Sequence, residues 1–202
     1  MFTKWIFSLS LLCLSAGTLS AQTHYTANVS NSRIYWEGHH IGGGSHEGYI
    51  LLHSGELKVN GRGQVTQGAF FIDMNTIFST DMGEDHEGLD NHLKNEDFFD
   101  VAVYPEAIFT VTGWEGTVQP GQTTKATITG NFTMKGITHA ITFPATVAWK
   151  GSAMHATAEF KIDRTRWNVM YQSGNLWTTL KDQVILNDIP LKLDIYLTAP
   201  GQ

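Results

Sequence analysis

Apolar and polar residues alternate strictly through the second half of the chain. Four successive segments place an apolar residue at every other position. The apolar sets are Ala126, Ile128, Gly130, Phe132 and Met134; Ile141, Phe143, Ala145, Val147 and Trp149; Met154, Ala156, Ala158, Phe160 and Ile162; and Leu191, Leu193, Ile195 and Leu197. A period of two is typical of a β-strand that buries one face, so the pattern predicts four long, half-buried strands.

Four earlier segments carry weaker strand patterns, and short turns join the predicted strands. The segments are residues 33–37, 48–59, 65–74 and 107–114, each bounded by Gly, Asn or Pro. Asn60-Gly61, Lys135-Gly136 and Lys150-Gly151 lie between strands at hairpin spacing, which predicts antiparallel pairing of neighbours in the chain. Pro144 interrupts its own strand, so a bulge or an edge position is predicted there.

About eight antiparallel strands with one apolar face each predict an all-β fold. Long strands, tight turns and sequential order favour a closed up-and-down barrel over a sandwich. The inner face mixes small and large residues without any charge, which predicts an apolar tunnel; a solid core of interdigitating side chains is the alternative. One short helix is predicted at residues 91–95, capped by Asp90 and placed near the rim of the barrel.

The composition limits the possible partners and the number of domains. Of the 202 residues, 42% are hydrophobic and 16% are charged, and the formal net charge is −6. No two basic residues are adjacent, whereas a nucleic-acid surface needs a basic patch or stripe, so no nucleic-acid partner is expected. Because no repeat or linker interrupts the strand pattern, residues 22–202 are predicted to form a single domain.

Residues 1–21 have the pattern of a secretory signal peptide. Lys4 carries their only charge, residues 5–14 are apolar, and residues 15–21 are mostly small or polar. We expect cleavage after Ala21 and a periplasmic or secreted protein. The apolar run is shorter than the roughly 20 residues that span a bilayer, so stable membrane insertion is not expected. Cys13 is the only cysteine of the chain, and it lies in this segment.

Several blocks of the chain carry a family resemblance. They are HLKNEDFFDV at 92–101, YPEAIF at 104–109, GNFTMKGIT at 130–138 and FKIDRTRW at 160–167, with IYW at 34–36 and GAFFIDM at 68–74. In order, spacing and residue type, residues 25–199 resemble the YceI-like family of secreted lipid-binding proteins. The resemblance implies an extended, eight-stranded, lipocalin-like antiparallel barrel. It also implies a bound polyisoprenoid, a similar long-chain lipid or a quinone; a homodimer is left open.

The candidate lipid-binding residues follow from the phase of each strand. Those predicted to face the tunnel are Phe71, Ile128, Phe132, Phe143, Val147, Phe160, Ile162, Leu193 and Ile195. Trp36 and Trp167 are placed near its ends. A slip of one residue would turn any strand's set to the other face. No catalytic residue, metal ligand or cofactor is predicted, so the favoured function is an exported, non-enzymatic protein that binds or carries a long-chain isoprenoid-like lipid.

A histidine cluster supports one alternative function. The cluster comprises His39, His40, His46 and His53. Grouped imidazoles can bind zinc, copper or nickel, so a His-rich, metal-binding secreted protein is the first alternative. Solvated loop histidines are the favoured interpretation, because the cluster lacks the fixed short spacing of structural metal sites.

His92 supports a second alternative, an enzyme that uses this residue as a general acid or base beside Asp90 and Asp97. The favoured interpretation is structural: His92 and Asp97 fasten the short helix to the barrel rim through hydrogen bonds to the backbone. Asp163 and Arg164 are likewise predicted to form a charge pair or to clamp a turn.

Overall fold

The computed structural model describes residues 22–174 and 184–199. Within these residues the chain forms nine β-strands and one α-helix, with short 3₁₀ segments at Gly83–Asp85 and Arg164–Trp167. The strands are β1 (Gln22–Ala27), β2 (Arg33–His39), β3 (Ser45–Asn60), β4 (Val65–Ser79), β5 (Glu106–Glu115), β6 (Thr123–Met134), β7 (Ile137–Lys150), β8 (Ala153–Asp163) and β9 (Asp188–Thr198), and the helix is α1 (His86–Lys94). The described helices include none that is long and apolar enough to cross a membrane.

The strands close into an eight-stranded antiparallel barrel. β1 and β2 share one position, because β1 pairs with the end of β3, β2 pairs with its start, and both also pair with β9. The remaining neighbours follow the order β9-β8-β7-β6-β5-β4, and β4 pairs back onto β3. The predicted barrel is therefore confirmed. The short strand β1, which has no clear alternation, was missing from the prediction.

Strands β6 to β9 have the predicted phase. Alternate residues of β6, from Ala126 to Met134, are buried, and the same holds at Phe143, Ala145 and Val147 of β7. The predicted hairpin at Lys135 and Gly136 joins these two strands, and both residues have positive φ angles (49° and 72°). A two-residue turn of this kind matches the right-handed twist of the flanking strands.

The helix prediction was wrong in its bounds. The helix begins at His86 and not after Asp90, so Asp90 lies in its middle, where it is buried. Asp85 occupies the N-cap position without a side-chain cap hydrogen bond. The carboxylate of Asp90 is instead directed at Ser79 on β4, and this contact holds α1 against the rim of the barrel.

Candidate functional site

The described part of the chain encloses two neighbouring apolar cavities in the barrel interior. We call the end of the barrel at the β7–β8 hairpin the upper end, and the end covered by α1 the lower end. The upper cavity has a volume of about 120 Å³ and lies toward the β7–β8 hairpin. Its lining comprises Ile34, Leu52, Leu57, Phe70, Ile72, Phe109, Val111, Trp114, Ile128, Phe132, Ile141, Phe143, Ala145, Val147, Met154, Ala156, Thr157, Ala158, Phe160, Leu191, Leu193, Ile195 and Leu197. Among these described residues none is charged, so the upper cavity is a hydrocarbon environment.

Aromatic rings form one wall of the upper cavity. Phe143 of β7 and Phe160 of β8 stack with ring centroids 4.2 Å apart and an interplanar angle of 6°, and Phe109 lies 5.6 Å from Phe143. The ring of Phe109 lies against Gly130 of β6. A Cβ atom at this position would be only 2.3 Å from Cζ of the ring. A glycine is therefore required for Phe109 to reach this position.

The lower cavity, of about 130 Å³, lies beneath helix α1. Its lining comprises Ile34, Trp36, Gly38, His40, His46, Ile50, Ile72, Met74, Ile77, Leu89, Leu93, Phe98, Phe99, Ala107, Phe132, Met134, Ile162, Arg164, Val169, Ile185, Ile189 and Leu191. Ile34, Ile72, Phe132 and Leu191 line both cavities. The two cavities are therefore neighbours along the barrel axis, and these four side chains form the waist between them.

Arg164 is a charged residue that reaches the lower cavity from the 3₁₀ turn directly after β8. Its side chain is 3% exposed and donates hydrogen bonds to the backbone oxygens of Val169 (2.9 Å), Ile185 (3.1 Å) and Leu186 (3.3 Å). Burial lowers the pKa of the guanidinium, and the negative charge of Asp163 opposes part of that change. Because its donors are directed at carbonyl groups, Arg164 clamps the turn after β8 to the segment before β9.

Two histidines lie at the margin of the lower cavity. Nδ1 of His46 lies 2.8 Å from Oδ2 of Asp81, and the rings of His40 and His46 meet edge to face, 6.4 Å apart. Partial burial raises the pKa of the Asp81 carboxyl, but hydrogen bonds from His46 and from the Glu47 backbone N–H outweigh this effect and leave the pKa lowered. This pair ties β3 to the segment that leads into α1.

Asp90 secures the roof of the lower cavity. Its Oδ1 accepts hydrogen bonds from the Ser79 backbone N–H (2.8 Å) and hydroxyl (2.7 Å), and its Oδ2 lies 3.0 Å from Nδ1 of His86. The prediction that His92 and Asp97 fasten the helix was wrong: Asp97 is exposed, and Nδ1 of His92 accepts a hydrogen bond from Nδ2 of Asn95. The reason is the earlier helix start, which turns Asp90 toward β4.

Two indole groups of the described cavity linings lack hydrogen-bond partners. Among the described residues, Nε1 of Trp36 and Nε1 of Trp114 are buried and unpaired. Trp36 lines the lower cavity and Trp114 lines the upper one. An unpaired buried donor costs about 1–3 kcal/mol, so each indole is a donor that an oxygen atom of a ligand could satisfy.

The structure brings together most of the residues selected from the sequence. Seven line the upper cavity and three line the lower one, Phe132 lining both. Those in the upper cavity are Ile128, Phe132, Phe143, Val147, Phe160, Leu193 and Ile195, and those in the lower cavity are Trp36, Phe132 and Ile162. Trp167 lines neither: it is fully buried behind Phe132, to whose backbone oxygen its Nε1 donates a hydrogen bond of 3.1 Å.

The predicted position of Phe71 was wrong. Phe71 is half-buried and lines neither cavity, whereas its neighbours Phe70 and Ile72 both line the upper one. Strand alternation places residues 68, 70, 72 and 74 inward, so two adjacent phenylalanines cannot both face the barrel interior. The pairing of β4 with β3 also shifts register, which moves the inward set to Ile77 beyond Met74.

The sequence-based selection missed the lining supplied by β3 and β5. Leu52 and Leu57 of β3 line the upper cavity, as do Phe109 and Val111 of β5. Their strands carry shorter runs of alternation, and the register of β5 with β6 shifts between Val111 and Gly113. A bulge of this kind interrupts the period of two that the selection relied on.

The histidines that supported the alternative functions lie in ordinary packing or pairing environments. Nε2 of His39 lies 3.1 Å from Oε2 of Glu37, while His53 is exposed. Within residues 22–174 and 184–199, no group of three or more His, Cys, Asp or Glu side chains is placed to hold a metal ion. The ring of His92 packs edge to face against Tyr171 (4.6 Å) and Phe98 (5.1 Å).

Asp163 and Arg164 do clamp a turn, as predicted. Oδ1 of Asp163 accepts hydrogen bonds from the backbone N–H (3.0 Å) and the hydroxyl (2.6 Å) of Thr165. The turn ends at Asn168, whose φ of 57° lies in the left-handed region that asparagine tolerates better than most residues. The clamp places Trp167 behind Phe132, at the waist between the two cavities.

Comparisons with known proteins agree with this architecture. A UPF0312 protein of Pseudomonas putida (strain GB-1) is 32% identical over 112 residues, which are 53% of this chain and 55% of the relative. Protein YceI of Escherichia coli O157:H7 is 31% identical over 105 residues, 49% of this chain and 52% of the relative. The chain thus spans about half the length of the curated relatives it matches.

Solved structures share the fold at low sequence identity. BcnA of Burkholderia cenocepacia superposes with a TM-score of 0.65 at 19% identity, over 84% of this chain and 98% of BcnA. A polyisoprenoid binding domain from Saccharophagus degradans superposes with a TM-score of 0.66 at 14% identity, over 87% of this chain and 98% of that domain. The model of the YceI-like domain matches residues 25–197, most of the chain, and the protein therefore belongs to the YceI-like family.

Proposed function

We propose that this protein is an exported, non-enzymatic carrier that holds a long-chain, isoprenoid-like lipid along its barrel axis. The observation that carries the proposal is the uncharged lining of the upper cavity, which lies next to the lower cavity with Ile34, Ile72, Phe132 and Leu191 lining both. The Saccharophagus degradans domain of the same fold, which is a polyisoprenoid binding domain, supports the choice of ligand class.

Burial of hydrocarbon supplies the affinity. Each methylene moved from water into an apolar cavity contributes about 0.8 kcal/mol, so a long chain binds tightly without any charged contact. The unpaired indole donors of Trp36 and Trp114 add a preference for a ligand that carries an oxygen acceptor, such as a prenyl alcohol or a prenylated quinone. Both terms describe binding, and neither requires a reacting group in the protein.

Export is proposed from the sequence of residues 1–21, which lie outside the described residues. The pattern of one early charge, an apolar run and small residues before Ala21 is that of a secretory signal peptide. A carrier outside the cytoplasm suits this chain, because its only cysteine, Cys13, lies within that segment and the barrel needs no disulfide.

Native mass spectrometry of the full chain, produced in a bacterial host, tests the ligand. We expect a mass excess that organic extraction releases and that fragmentation identifies as a prenyl lipid. Protein stripped of this lipid should bind geranylgeraniol, with a change in tryptophan fluorescence because Trp36 and Trp114 line the cavities. The native mass also gives the oligomeric state.

The variant Ala156→Phe fills the upper cavity and tests whether the lipid is bound there. Ala153→Phe, at an exposed position of the same strand β8, is its matched control. Only Ala156→Phe should lose lipid and geranylgeraniol binding. A chain that carries no lipid and binds no geranylgeraniol would contradict the proposal. Stoichiometric zinc or copper by elemental analysis would point instead to the histidines.

A further inference from the structure

The barrel wall has a seam between β7 and β8. β6 pairs with β7 along its whole length, from Thr123 to Met134, and β8 pairs with β9 along its whole length. β7 and β8 pair only where residues 146–150 face residues 153–157, next to their hairpin. Below Thr146 and Thr157 the two strands continue without a ladder between them, down to the turn that follows β8.

Pro144 gives a reason for the ladder to end where it does. It lies two residues below Thr146, on the exposed face of β7, and has no N–H to donate across a ladder. Side chains close the seam in place of backbone hydrogen bonds. Phe143 of β7 stacks on Phe160 of β8, and further down Nε2 of His139 lies 2.9 Å from the backbone oxygen of Arg166.

A surface groove lies over the outside of the seam and extends onto β6 and β9. Its lining comprises Glu115, Gly116, Lys125, Ala126, Thr127, Pro144, Ala145, Thr146, Thr157, Ala158, Glu159 and Lys192. Ala145, Thr157 and Ala158 belong both to this groove and to the lining of the upper cavity. These three small residues therefore lie between solvent and the cavity close to the point where the ladder ends.

We propose that the β7–β8 seam is the passage through which the lipid enters and leaves the upper cavity, with the stacked Phe143 and Phe160 as its gate. The proposal rests on the lipid-binding function proposed above. Separating the two strands below Thr146 breaks no ladder hydrogen bond, whereas opening the wall between β6 and β7 would break a continuous one. Rotation of the two rings, next to alanines, is then sufficient for an alkyl chain to pass.

Cross-linking the seam tests the passage. The variant carries Pro144→Cys and Glu159→Cys, two exposed positions on either side of the seam. It also carries Cys13→Ala, so that a chain with residues 1–21 still attached contributes no native thiol. A cleavable dimaleimide joins the two thiols after loading with a dansyl-labelled prenyl alcohol. Release of this probe into excess phosphatidylcholine vesicles is followed by fluorescence, and uptake is measured in reverse.

We expect cross-linking to slow both uptake and release at least tenfold, with the dissociation constant changed less than twofold, because a passage affects both rates equally. Cleavage of the cross-linker should restore both rates. The matched control joins Thr129→Cys to Thr142→Cys across the laddered β6–β7 pair, where the native hydroxyls lie 3.0 Å apart. This cross-link should leave both rates unchanged.

A single-thiol variant keeps the test independent of cross-linking geometry. Pro144→Cys capped with a bulky maleimide should slow release, and Thr129→Cys capped in the same way should not. Unchanged rates in both the cross-linked and the capped seam variants overturn the passage and place it elsewhere, for example beside α1. Failure of the uncapped, uncross-linked protein to bind the probe would instead refute the proposed lipid-binding function.

Discussion

The two cavities are similar in volume, about 120 and 130 Å³, but the protein builds them differently. The upper cavity is enclosed by strands, and the polar groups of its described lining are the hydroxyl of Thr157 and the indole N–H of Trp114. The lower cavity is roofed by α1 and includes His40, His46 and Arg164 in its lining. Hydrophobic packing shapes the first, and polar contacts hold the elements that shape the second.

The polar residues of the lower cavity do not make it a polar site. Arg164 is directed at three backbone carbonyls, Asp90 at Ser79, and His46 at Asp81. Groups paired in this way have little capacity left for a ligand, whereas their loss leaves buried partners unsatisfied. We therefore expect replacement of these polar residues to destabilise the lower end of the barrel. Replacement of apolar lining residues should instead change how much ligand either cavity can hold.

Arg164→Met should have the largest effect on stability. The methionine keeps an apolar stem but leaves the carbonyls of Val169, Ile185 and Leu186 without their donor. We expect the free energy of unfolding to fall by about 3–5 kcal/mol, measured by urea denaturation. The exposed neighbour Arg166, whose guanidinium lies over the Trp167 ring, gives the control: Arg166→Met should cost less than about 1 kcal/mol. Equal losses would mean that Arg164 is not a clamp.

Asp90→Ala should loosen the roof of the lower cavity. It leaves the backbone N–H and hydroxyl of buried Ser79 unpaired, so we expect a loss of about 2–4 kcal/mol in the free energy of unfolding. Hydrogen exchange should accelerate in α1 before it does in β6 and β7. Asp97→Ala, at an exposed position near the same helix, is the matched control and should stay within about 0.5 kcal/mol of the parent protein. Acceleration throughout the barrel would contradict a local role.

The difference between the strand-lined upper cavity and the lower cavity, which polar contacts hold in place, also explains what could be predicted from the sequence. The inward sets of β6 to β9 follow from alternation alone, because long antiparallel strands with one buried face need no other information. Phe71 was misplaced because Phe70 and Phe71 are adjacent, and β4 changes register beyond Met74. The roles of Asp90 and Arg164 depend on Ser79 and Ile185, which lie 11 and 21 residues away in the sequence and leave no periodic signal.

Filling each cavity with extra carbon atoms should show how far the bound chain extends. Ala156→Leu narrows the upper cavity and Ala107→Leu the lower one, each by three carbons. Because four side chains line both cavities, we expect the alkyl chain of one lipid to occupy both. Either variant should then weaken geranylgeraniol binding by about 2 kcal/mol, or roughly 30-fold. Titration calorimetry measures this, with exposed Ala153→Leu as control. Normal affinity for Ala107→Leu would confine the chain to the upper cavity.

Asp81→Asn should have the smallest effect, and its dependence on pH is diagnostic. Hydrogen bonds from His46 and the Glu47 N–H keep the pKa of Asp81 below its usual value in the folded protein, despite the opposing effect of burial. The ionised carboxylate therefore stabilises the fold above the unfolded-state pKa, and this contribution disappears as the pH falls through the lowered pKa. Since the pair of His46 and Asp81 is partly exposed, we expect the free energy of unfolding to fall by less than about 1 kcal/mol near neutral pH.

Urea denaturation of the parent protein and of Asp81→Asn at neutral and strongly acidic pH measures the difference, which should be largest near neutrality and vanish in acid. A difference that grew in acid would show that the carboxylate is not held ionised by these contacts, and would leave α1 anchored at this end of the lower cavity by Asp90 alone.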